Sequence, residues 1–223
     1  MRVSAIVPAL NEAMTIERTL KSLQAIRSEG GEIIVVDGGS EDETSKLAAA
    51  WADKVIRSSK GRARQMNAGA AVASGDLLFF VHADTLFSQT LTNDLIDRVS
   101  VKQSWGFFPV ILSGQHWLFR VIERMMNWRS RLTSVATGDQ AIFVSRALWQ
   151  ELGGYADIPL MEDIEFSKRL RKRAAPQVMP RPITTSSRRW EEYGIAKTIV
   201  LMWRLRWKYY RGIDPRELKR EYS

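Results

Sequence analysis

Short apolar runs alternate with helically spaced apolar residues along the first third of the chain. Residues 3–7 (VSAIV) form a β-branched run that stops at Pro8, as a buried strand of a parallel sheet does. In residues 15–26 the apolar side chains recur at the spacing of an amphipathic helix. Repeated βαβ units of this kind predict an α/β fold with a mostly parallel sheet. The predicted strands are 3–7, 33–36, 54–57 and 77–81, and the predicted helices are 15–26, 40–51 and 64–73.

Beyond residue 84 the alternation weakens, and helical patterns dominate. Earlier in the chain, Ser40 followed by Glu41 and Glu43 has the signature of a helix N-cap with an acidic first turn, which marks the start of the predicted helix 40–51. No internal repeat or linker interrupts the later pattern, so we expect one continuous domain with a C-terminal helical appendage. The later predictions are helices over 89–101, 118–131, 163–172 and 196–210, an extended segment over 105–112 and a strand over 141–144.

Composition narrows the class of protein. The 223 residues include no cysteine, which excludes disulfides, cysteine metal sites and a thiol nucleophile and fits a reducing compartment. No signal peptide is expected, because the chain reaches Glu12 before any adequate apolar run. The longest uncharged stretch, residues 103–119, is interrupted by Gly106, Pro109 and Gly114 and is too short to span a membrane. A cytoplasmic protein follows as the expectation.

The net charge of +8 is unevenly distributed. Residues 164–223 hold 16 Lys and Arg against 6 Asp and Glu, whereas residues 1–163 hold 17 against 19. The basic character therefore belongs to the C-terminal quarter. Such a block suits nucleic acid, an anionic membrane surface or a phosphorylated substrate, and composition alone does not choose among them.

Polar side chains collect where three predicted strands end. Asn11 and Glu12 follow the first strand, Asp37 follows the second, and His82 and Asp84 follow the fourth. Ligands of open parallel sheets bind beyond the carboxyl ends of the strands, so the set predicts a ligand site, although a helix cap or turn would explain any one cluster alone. No glycine-rich turn follows the first strand, which disfavours a dinucleotide-binding site, and a P-loop is absent from the sequence.

Residues 60–69 (KGRARQMNAG) place three cations just before and within the first turn of a helix. Free backbone N–H groups at a helix start, with Lys and Arg beside them, suit a diphosphate. A solvated basic turn is the alternative interpretation.

These segments together resemble the family 2 glycosyltransferases of GT-A fold. The resemblance rests on PALNE, VVDGGSEDET, GRARQMNAGA, the acidic turn after LLFFV, and LMEDIE, which follow one another in the family's order over about residues 1–175. The ending, with SRRW and a helix rich in Trp and Arg, is similar to the radical-SAM/selenodomain-associated transferases, a bacterial subgroup. The resemblance implies a Rossmann-like catalytic domain over residues 1–185, and residues 186–223 would pack on it or on a membrane.

The resemblance also implies a role for each polar cluster. Asp84 matches an aspartate that binds a divalent metal, Mn²⁺ or Mg²⁺. His82 stands where the family has a first acid that mostly contacts ribose; a nearby imidazole favours Mn²⁺, and a packing histidine is the alternative. Asp37 would accept a hydrogen bond from the base or ribose. The implied nucleotide-binding residues are Pro8, Asn11, Glu12, Asp37, Lys60, Arg62, Gln65, Asn67 and His82.

Two adjacent acids open the predicted helix 163–172. The resemblance assigns Asp163 as the general base that takes the acceptor's proton, and Glu162 as an acceptor contact. A single displacement would invert the configuration at the anomeric carbon. Helix capping by these acids is the alternative. The residues expected to face the acceptor or to form a lid are Asp139, Arg188 and Trp190.

The implied partners are a UDP- or GDP-sugar donor and an acceptor that the sequence does not identify. No nucleic acid is expected, because no RNA-recognition signature is present. The competing hypothesis is a non-enzymatic module that uses its basic C-terminal quarter to bind RNA or an anionic membrane. Residues 196–210 interleave Trp and Leu with Arg and Lys, a pattern typical of a helix that packs on the domain or lies on a membrane, at the inner face in that case.

Overall fold

The computed structural model describes residues 1–99 and 104–222. Seven of the described strands form one mixed sheet, and two more form a small second sheet. The strands of the large sheet, in spatial order, are β3 (Lys54–Arg57), β2 (Glu32–Asp37), β1 (Val3–Ala9), β4 (Leu77–Phe80), β7 (Phe143–Ser145), β5 (Trp105–Phe107) and β8 (Gln177–Val178). The small sheet pairs β6 (Val110–Leu112) with β9 (Ile183–Thr185).

Helices cover both faces of the large sheet. Those of the first half are α1 (Ile16–Ser22), α2 (Gln24–Ser28), α3 (Thr44–Ala49), α4 (Arg62–Val72) and α5 (Gln89–Arg98). Those of the second half are α6 (Trp117–Thr133), α7 (Arg146–Leu152), α8 (Glu162–Leu170), α9 (Arg188–Tyr193), α10 (Ile195–Tyr210) and α11 (Pro215–Tyr222). A single 3₁₀ turn, Gly138–Gln140, precedes β7 among the residues described.

The first four strands confirm the predicted parallel α/β sheet. Every residue of β1 and β2 is buried, as expected for strands covered by helices on both faces. Strand β1 pairs in parallel with β2 on one side and β4 on the other. The carboxyl ends of β2, β1 and β4 therefore lie side by side, and the three polar clusters of the sequence follow these ends.

The second half departs from the parallel pattern. Strand β7 runs antiparallel to both β4 and β5, and the predicted extended segment 105–112 is divided between the two sheets. The division falls at Phe108 and Pro109, and proline has no N–H to donate to a ladder. The sequence pattern also missed α7, α9 and α11, three short helices.

Two helix predictions need correction. The helix expected over 15–26 breaks at Leu23 into α1 and α2. The expected N-cap at Ser40 is wrong, because Ser40 donates its N–H and hydroxyl to Asp37 and the helix begins only at Thr44. The helix predicted over 89–101 is described as far as Arg98, and its last two predicted residues lie outside the described residues.

The C-terminal segment packs on the rest of the chain. Leu205 of α10 and Leu218 of α11 are buried against Met161 and Ile164 at the start of α8. Nearer the start of α10, Ile199 packs against Phe119 of α6. The boundary proposed at residue 185 stays a prediction. None of the helices in the described ranges has the length and apolar content that a membrane crossing requires.

Candidate active site

Asp37 holds together the loop that follows β2. Its side chain is buried and accepts hydrogen bonds from the Gly39 N–H, from the N–H and hydroxyl of Ser40, and from the Ser45 hydroxyl. Burial opposes ionisation, but these hydrogen bonds outweigh it and lower the pKa of Asp37. Asp37 is therefore an ionised carboxylate at the carboxyl end of a central strand.

The loops after β1 and β2 are tied to each other. Asn11 adopts a left-handed backbone (φ 54°), a conformation that asparagine tolerates, and its N–H donates to the Ser40 hydroxyl. The Asn11 side-chain oxygen accepts the N–H of Glu41. The Glu12 N–H donates to the Thr44 hydroxyl at the start of α3. This cross-linking fixes one rigid wall at the sheet edge.

Four further residues of the predicted nucleotide site have different surroundings. The Gln65 Nε2 donates to the Ala9 and Val36 carbonyl oxygens at 2.8 Å each, and Asn67 exchanges two hydrogen bonds with the Tyr155 backbone. Pro8 is buried within β1, and Lys60 is exposed just before α4. Gln65 and Asn67 thus hold the fold together, and their contact with a nucleotide stays a prediction.

A small cavity lies where β4, α4 and α8 meet. It brings together four of the predicted site residues: Arg62, His82, Glu162 and Asp163. The Arg62 guanidinium lies 3.5 Å from the Glu162 carboxylate, and His82 Nδ1 lies 3.4 Å from Asp139 Oδ1. The Gly138 N–H donates to Asp163 Oδ2 at 2.6 Å, so the turn before β7 orients this carboxylate. The cavity lining also includes Met66, Phe80, Gly138, Ile142 and Tyr155.

The carboxylates around this cavity differ in their electrostatics. Burial, reinforced by the charge of Asp163, raises the pKa of Glu162 despite the opposing charge of Arg62. Burial also opposes ionisation of Asp139, but the hydrogen bond and charge of His82, with help from Arg62, lower the pKa of Asp139. The surroundings of this cavity therefore favour the protonated form of Glu162 and the ionised form of Asp139.

Asp37 and Asp84 do not line this cavity, although both follow strands that end at the same sheet edge. Arg188 and Trp190 lie on α9, in the C-terminal segment. The Arg188 guanidinium reaches Glu12 at 3.4 Å, and Trp190 is half-buried against the cluster of α6 and α10. An ion pair thus joins the C-terminal segment to the loop after β1.

The side chains of this region could bind a metal ion only together with a ligand that supplies further oxygen atoms. Within residues 1–99 and 104–222, no group of three or more His, Cys, Asp or Glu side chains could hold a metal ion. In the same ranges the half-buried Asp84 carboxylate has no hydrogen bond or ion pair, and His82 Nε2 is buried without a partner. One free carboxylate fits Mg²⁺ or Mn²⁺ bound mainly by substrate phosphates and water.

The sequence analysis missed three residues of this region. Tyr155 lines the cavity, and burial raises the pKa of its hydroxyl well above the ordinary value. Arg129 of α6 and Arg206 of α10 are half-buried and feel the charges of Asp139 and Asp163. Arg206 belongs to the helix that we expected to pack on the domain or to lie on a membrane, and its side chain is half-buried.

Comparison with known proteins identifies the family. The model of "Glycosyl transferase family 2" matches residues 4–150. An uncharacterised glycosyltransferase of Mycobacterium tuberculosis is 34% identical over 177 residues, which cover 74% of this chain and 66% of that protein. A probable glycosyltransferase of Bacillus subtilis is 27% identical and is covered over 55% of its length. The chain thus spans less than two thirds of these relatives.

Solved structures show the same fold. The mannosyltransferase of Pyrobaculum calidifontis, in complex with GDP-mannose and Mn²⁺, has a TM-score of 0.63 at 22% identity and covers 83% of this chain and 56% of that one. Glucosyl-3-phosphoglycerate synthase of Mycobacterium tuberculosis, with Mn²⁺, UDP and glucosyl-3-phosphoglycerate, has a TM-score of 0.60 at 21% identity, covering 90% and 77%. The fold is therefore GT-A, and the chain belongs to glycosyl transferase family 2.

Proposed function

We propose that this chain transfers a sugar from a UDP- or GDP-sugar to an acceptor hydroxyl, with inversion at the anomeric carbon. The observation that carries the proposal is the position of Asp163. Its carboxylate is fixed by the Gly138 N–H and lies among His82, Arg62 and Glu162 at the sheet edge where ligands of this fold class bind. The neighbours with bound GDP-mannose or UDP support a nucleotide-sugar donor.

The donor would lie along the wall formed by the loops after β1 and β2. Asp37 Oδ2 accepts one hydrogen bond, from Ser45, and so keeps capacity for a ribose or base donor. The N-terminus of α4 has no side-chain cap, so its first N–H groups can meet a diphosphate together with Lys60 and Arg62. Pro8, Asn11, Glu12, Gln65, Asn67 and His82 complete the proposed nucleotide pocket.

Asp84 would hold Mn²⁺ or Mg²⁺ together with the donor's diphosphate. When bound, such a metal neutralises charge on the departing diphosphate. His82 lies two residues away and faces Asp139, which suits a residue that positions the turn carrying Gly138 and orients the base. The neighbours that contain Mn²⁺ support a metal in this family.

Asp163 would take the proton of the acceptor hydroxyl as that oxygen attacks the anomeric carbon from the face opposite the leaving diphosphate. Glu162, whose pKa is raised by burial and which is paired with Arg62, would contact the acceptor. Helix capping explains part of their placement, because Asp163 Oδ1 accepts the Ile164 N–H at 2.7 Å in the first turn of α8, although the N-cap position itself is Met161, which makes no side-chain cap bond.

The C-terminal segment would close the site. Arg188, Trp190 and Asp139 would face the acceptor or form the lid. The Arg188–Glu12 pair supports this role for Arg188, because Arg188 is exposed and could leave Glu12 to bind a diphosphate. We also propose that the SRRW ending marks the radical-SAM/selenodomain-associated subgroup. The family match disfavours the alternative of a non-enzymatic RNA- or membrane-binding module.

We further propose that the protein is cytoplasmic and contacts the inner face of an anionic membrane through α10. Trp203 and Trp207 are 60% and 62% exposed on the outer face of this helix. No acidic residue occurs in the helix. Among its cations, Lys197 is exposed, Arg204 and Lys208 pair with Glu221 of α11, and Arg206 is half-buried. Exposed Trp beside Arg and Lys is typical of helices that lie on anionic lipid surfaces.

The proposed base is tested with Asp163→Asn. Nucleotide release from a panel of UDP- and GDP-sugars, with bacterial extract as the acceptor source, should fall by ~10²–10⁴ because the acceptor's proton has no carboxylate to take it. The affinity for UDP or GDP should stay at the wild-type value. Exposed Asp97→Asn is the matched control and should keep full activity. Near wild-type release by Asp163→Asn would refute the assignment.

A further inference from the structure

Tyr155 is a buried tyrosine whose hydroxyl has no protein partner. It is 4% exposed, whereas the other four tyrosines of the chain are half-buried or exposed. Within the part of the chain that the structure describes, the backbone of Tyr155 makes its hydrogen bonds, and the hydroxyl makes none. A tyrosine that lies so far out of water usually has a partner for its hydroxyl, so this one needs an explanation.

Tyr155 lines the small cavity where β4, α4 and α8 meet, together with Arg62, His82, Glu162 and Asp163. The volume of this cavity is about 10 Å³, which is the space of one water molecule or one hydroxyl group and too little for a sugar ring. Among the described residues, His82 Nε2 is also buried without a partner. Two side chains with an unused hydrogen-bonding atom thus border a space that one small polar group fills.

The loop before Tyr155 is fixed against α4. Gly153 and Gly154 adopt left-handed backbones (φ 72° and 71°), which glycine reaches without strain. A Cβ atom at residue 154 would come within 2.7 Å of the Asn67 side-chain oxygen. The Asn67 amide exchanges two hydrogen bonds with the Tyr155 backbone, at 2.8 and 2.9 Å. The backbone of Tyr155 is therefore held in one position relative to the helix that borders the cavity.

Aromatic neighbours hold the ring of Tyr155. The ring lies edge-on to Phe80 at a centroid distance of 5.0 Å, and its centroid lies 4.3 Å from that of Phe166. A phenylalanine at this position would keep both contacts, so packing accounts for the ring and not for the hydroxyl. A hydroxyl on a ring held this firmly is a preorganised hydrogen-bonding group, as a substrate contact requires.

The charges around the cavity indicate which kind of group the hydroxyl meets. Asp163 disfavours an anion, and Arg62, whose guanidinium lies 3.5 Å from the Glu162 carboxylate, disfavours a cation. A neutral hydroxyl group suits both, because it accepts a hydrogen bond from tyrosine and donates one to a carboxylate or imidazole. Burial, with the charges of Asp163 and Glu162, raises the pKa of Tyr155, which keeps its hydroxyl protonated as a donor.

We propose that Tyr155 is a substrate contact, whose hydroxyl donates a hydrogen bond to a substrate hydroxyl group that enters the cavity beside Asp163. The inference rests on the proposed glycosyltransferase function and adds to it a residue that selects a hydroxylated substrate. A site built to hydrogen-bond a substrate hydroxyl rejects the analogue that lacks it. The group is a hydroxyl of the transferred sugar or of the acceptor, and donor binding distinguishes the two.

The test compares Tyr155→Phe with wild type in the presence of Mn²⁺. Calorimetry gives the affinities for UDP, GDP, UDP-glucose, UDP-N-acetylglucosamine and GDP-mannose, and nucleotide release with bacterial extract gives transfer. If the donor sugar supplies the hydroxyl, the variant should bind the preferred nucleotide sugar about 3–10-fold more weakly and the free nucleotide equally well. If the acceptor supplies it, all five affinities should be unchanged, and transfer should fall by about 3–10-fold.

A matched control and a set of analogues sharpen the comparison. Tyr210→Phe, which removes an exposed hydroxyl of α10, should match wild type in every measurement. In the donor case, wild type should bind one monodeoxy analogue of the preferred sugar more weakly by the same factor, and Tyr155→Phe should not distinguish that analogue from the parent. Equal donor affinity and equal transfer for wild type and Tyr155→Phe would overturn the contact and leave the proposed function intact. Absence of binding to all five nucleotides would instead contradict the proposed function itself.

Thermal unfolding separates a substrate contact from a structural role. Tyr155→Phe keeps the ring contacts with Phe80 and Phe166, and its hydroxyl has no partner to lose, so the variant should melt no lower than wild type. A clearly lower melting temperature, or a weaker affinity for the free nucleotide, would show that the hydroxyl supports the fold and would overturn the proposal.

Discussion

Glu32 and Asp37 stand at opposite ends of β2, and hydrogen bonds keep both carboxylates ionised. Glu32 is 3% exposed and accepts from the Ser4 hydroxyl, from the N–H and hydroxyl of Ser74, and from the Lys54 ammonium. Burial alone would raise the pKa of Glu32, but these bonds lower it to about 2. At the amino end of the sheet this network joins three strands, whereas the Asp37 network at the carboxyl end shapes the proposed donor pocket.

Glu32→Gln should destabilise the protein at pH 7 by about 1–3 kcal/mol. The amide oxygen is a weaker acceptor than a carboxylate, and the amide NH₂ group would face the N–H and O–H groups that now donate to Glu32. The pKa of Glu32 is lower in the folded protein than the ordinary 4.5, so its contribution is complete above that pH and is lost as the pH falls toward 2. Urea unfolding at pH 7 and pH 3 should show the difference between wild type and variant shrinking at pH 3. Exposed Glu29→Gln is the control, and equal stability of wild type and Glu32→Gln at pH 7 would contradict the account.

At the scale of elements, α10 has two faces of different character. Leu205 is fully buried with Val135, Leu160 and Met161, whereas Trp203, two residues earlier, is mostly exposed. The buried side fixes α10 against the start of α8, which carries Glu162 and Asp163. The helix therefore belongs to the support of the candidate site.

Leu205→Ala should lower the free energy of unfolding by about 2–5 kcal/mol, since it leaves a cavity in this cluster. Trp203→Ala, the matched substitution on the exposed face, should change it by no more than about 0.5 kcal/mol. Chemical denaturation measures both values. A larger loss for Trp203→Ala than for Leu205→Ala would reverse the assignment of the two faces.

The sequence pattern predicted those helices and strands whose apolar residues form a continuous run or recur at a regular spacing. The strands β1, β2, β3 and β4 and the acids opening α8 follow from runs and spacings that the sequence displays. Ser40 misled the analysis because its hydroxyl donates to Asp37, three residues earlier, and accepts the N–H of Asn11 from the loop after β1. A cap signature does not reveal such competing partners. Arg129 and Arg206 were missed because spacing tells which residues share a helix face, not which face meets the active site.

At the scale of the whole molecule, charge and exposed aromatics coincide. The basic C-terminal quarter includes α10, and the adjacent α6 exposes Trp117, Trp128 and Leu132. The only acid of α6, Glu123, is buried and paired with Arg120. The outer surface of both helices thus combines aromatic side chains with cations.

The protein should float with phosphatidylglycerol vesicles at low salt and not with phosphatidylcholine vesicles. The double variant Trp203→Ala, Trp207→Ala should reduce flotation at least about tenfold, because both side chains would leave the lipid interface. Raising the salt should weaken the binding, since exposed charges are screened. No flotation with anionic vesicles at low salt would contradict the proposed membrane contact.

The central claim is that the edge formed by β1, β2 and β4 binds a nucleoside diphosphate together with a metal held by Asp84. Isothermal titration of UDP and GDP in the presence of Mn²⁺ tests it directly. We predict saturable binding of at least one nucleotide at one site per chain, abolished by a chelator and weakened at least about tenfold by Asp84→Ala, the loss expected when a charged ligand is removed. Binding of neither nucleotide, or equal affinity of wild type and Asp84→Ala, would contradict the account.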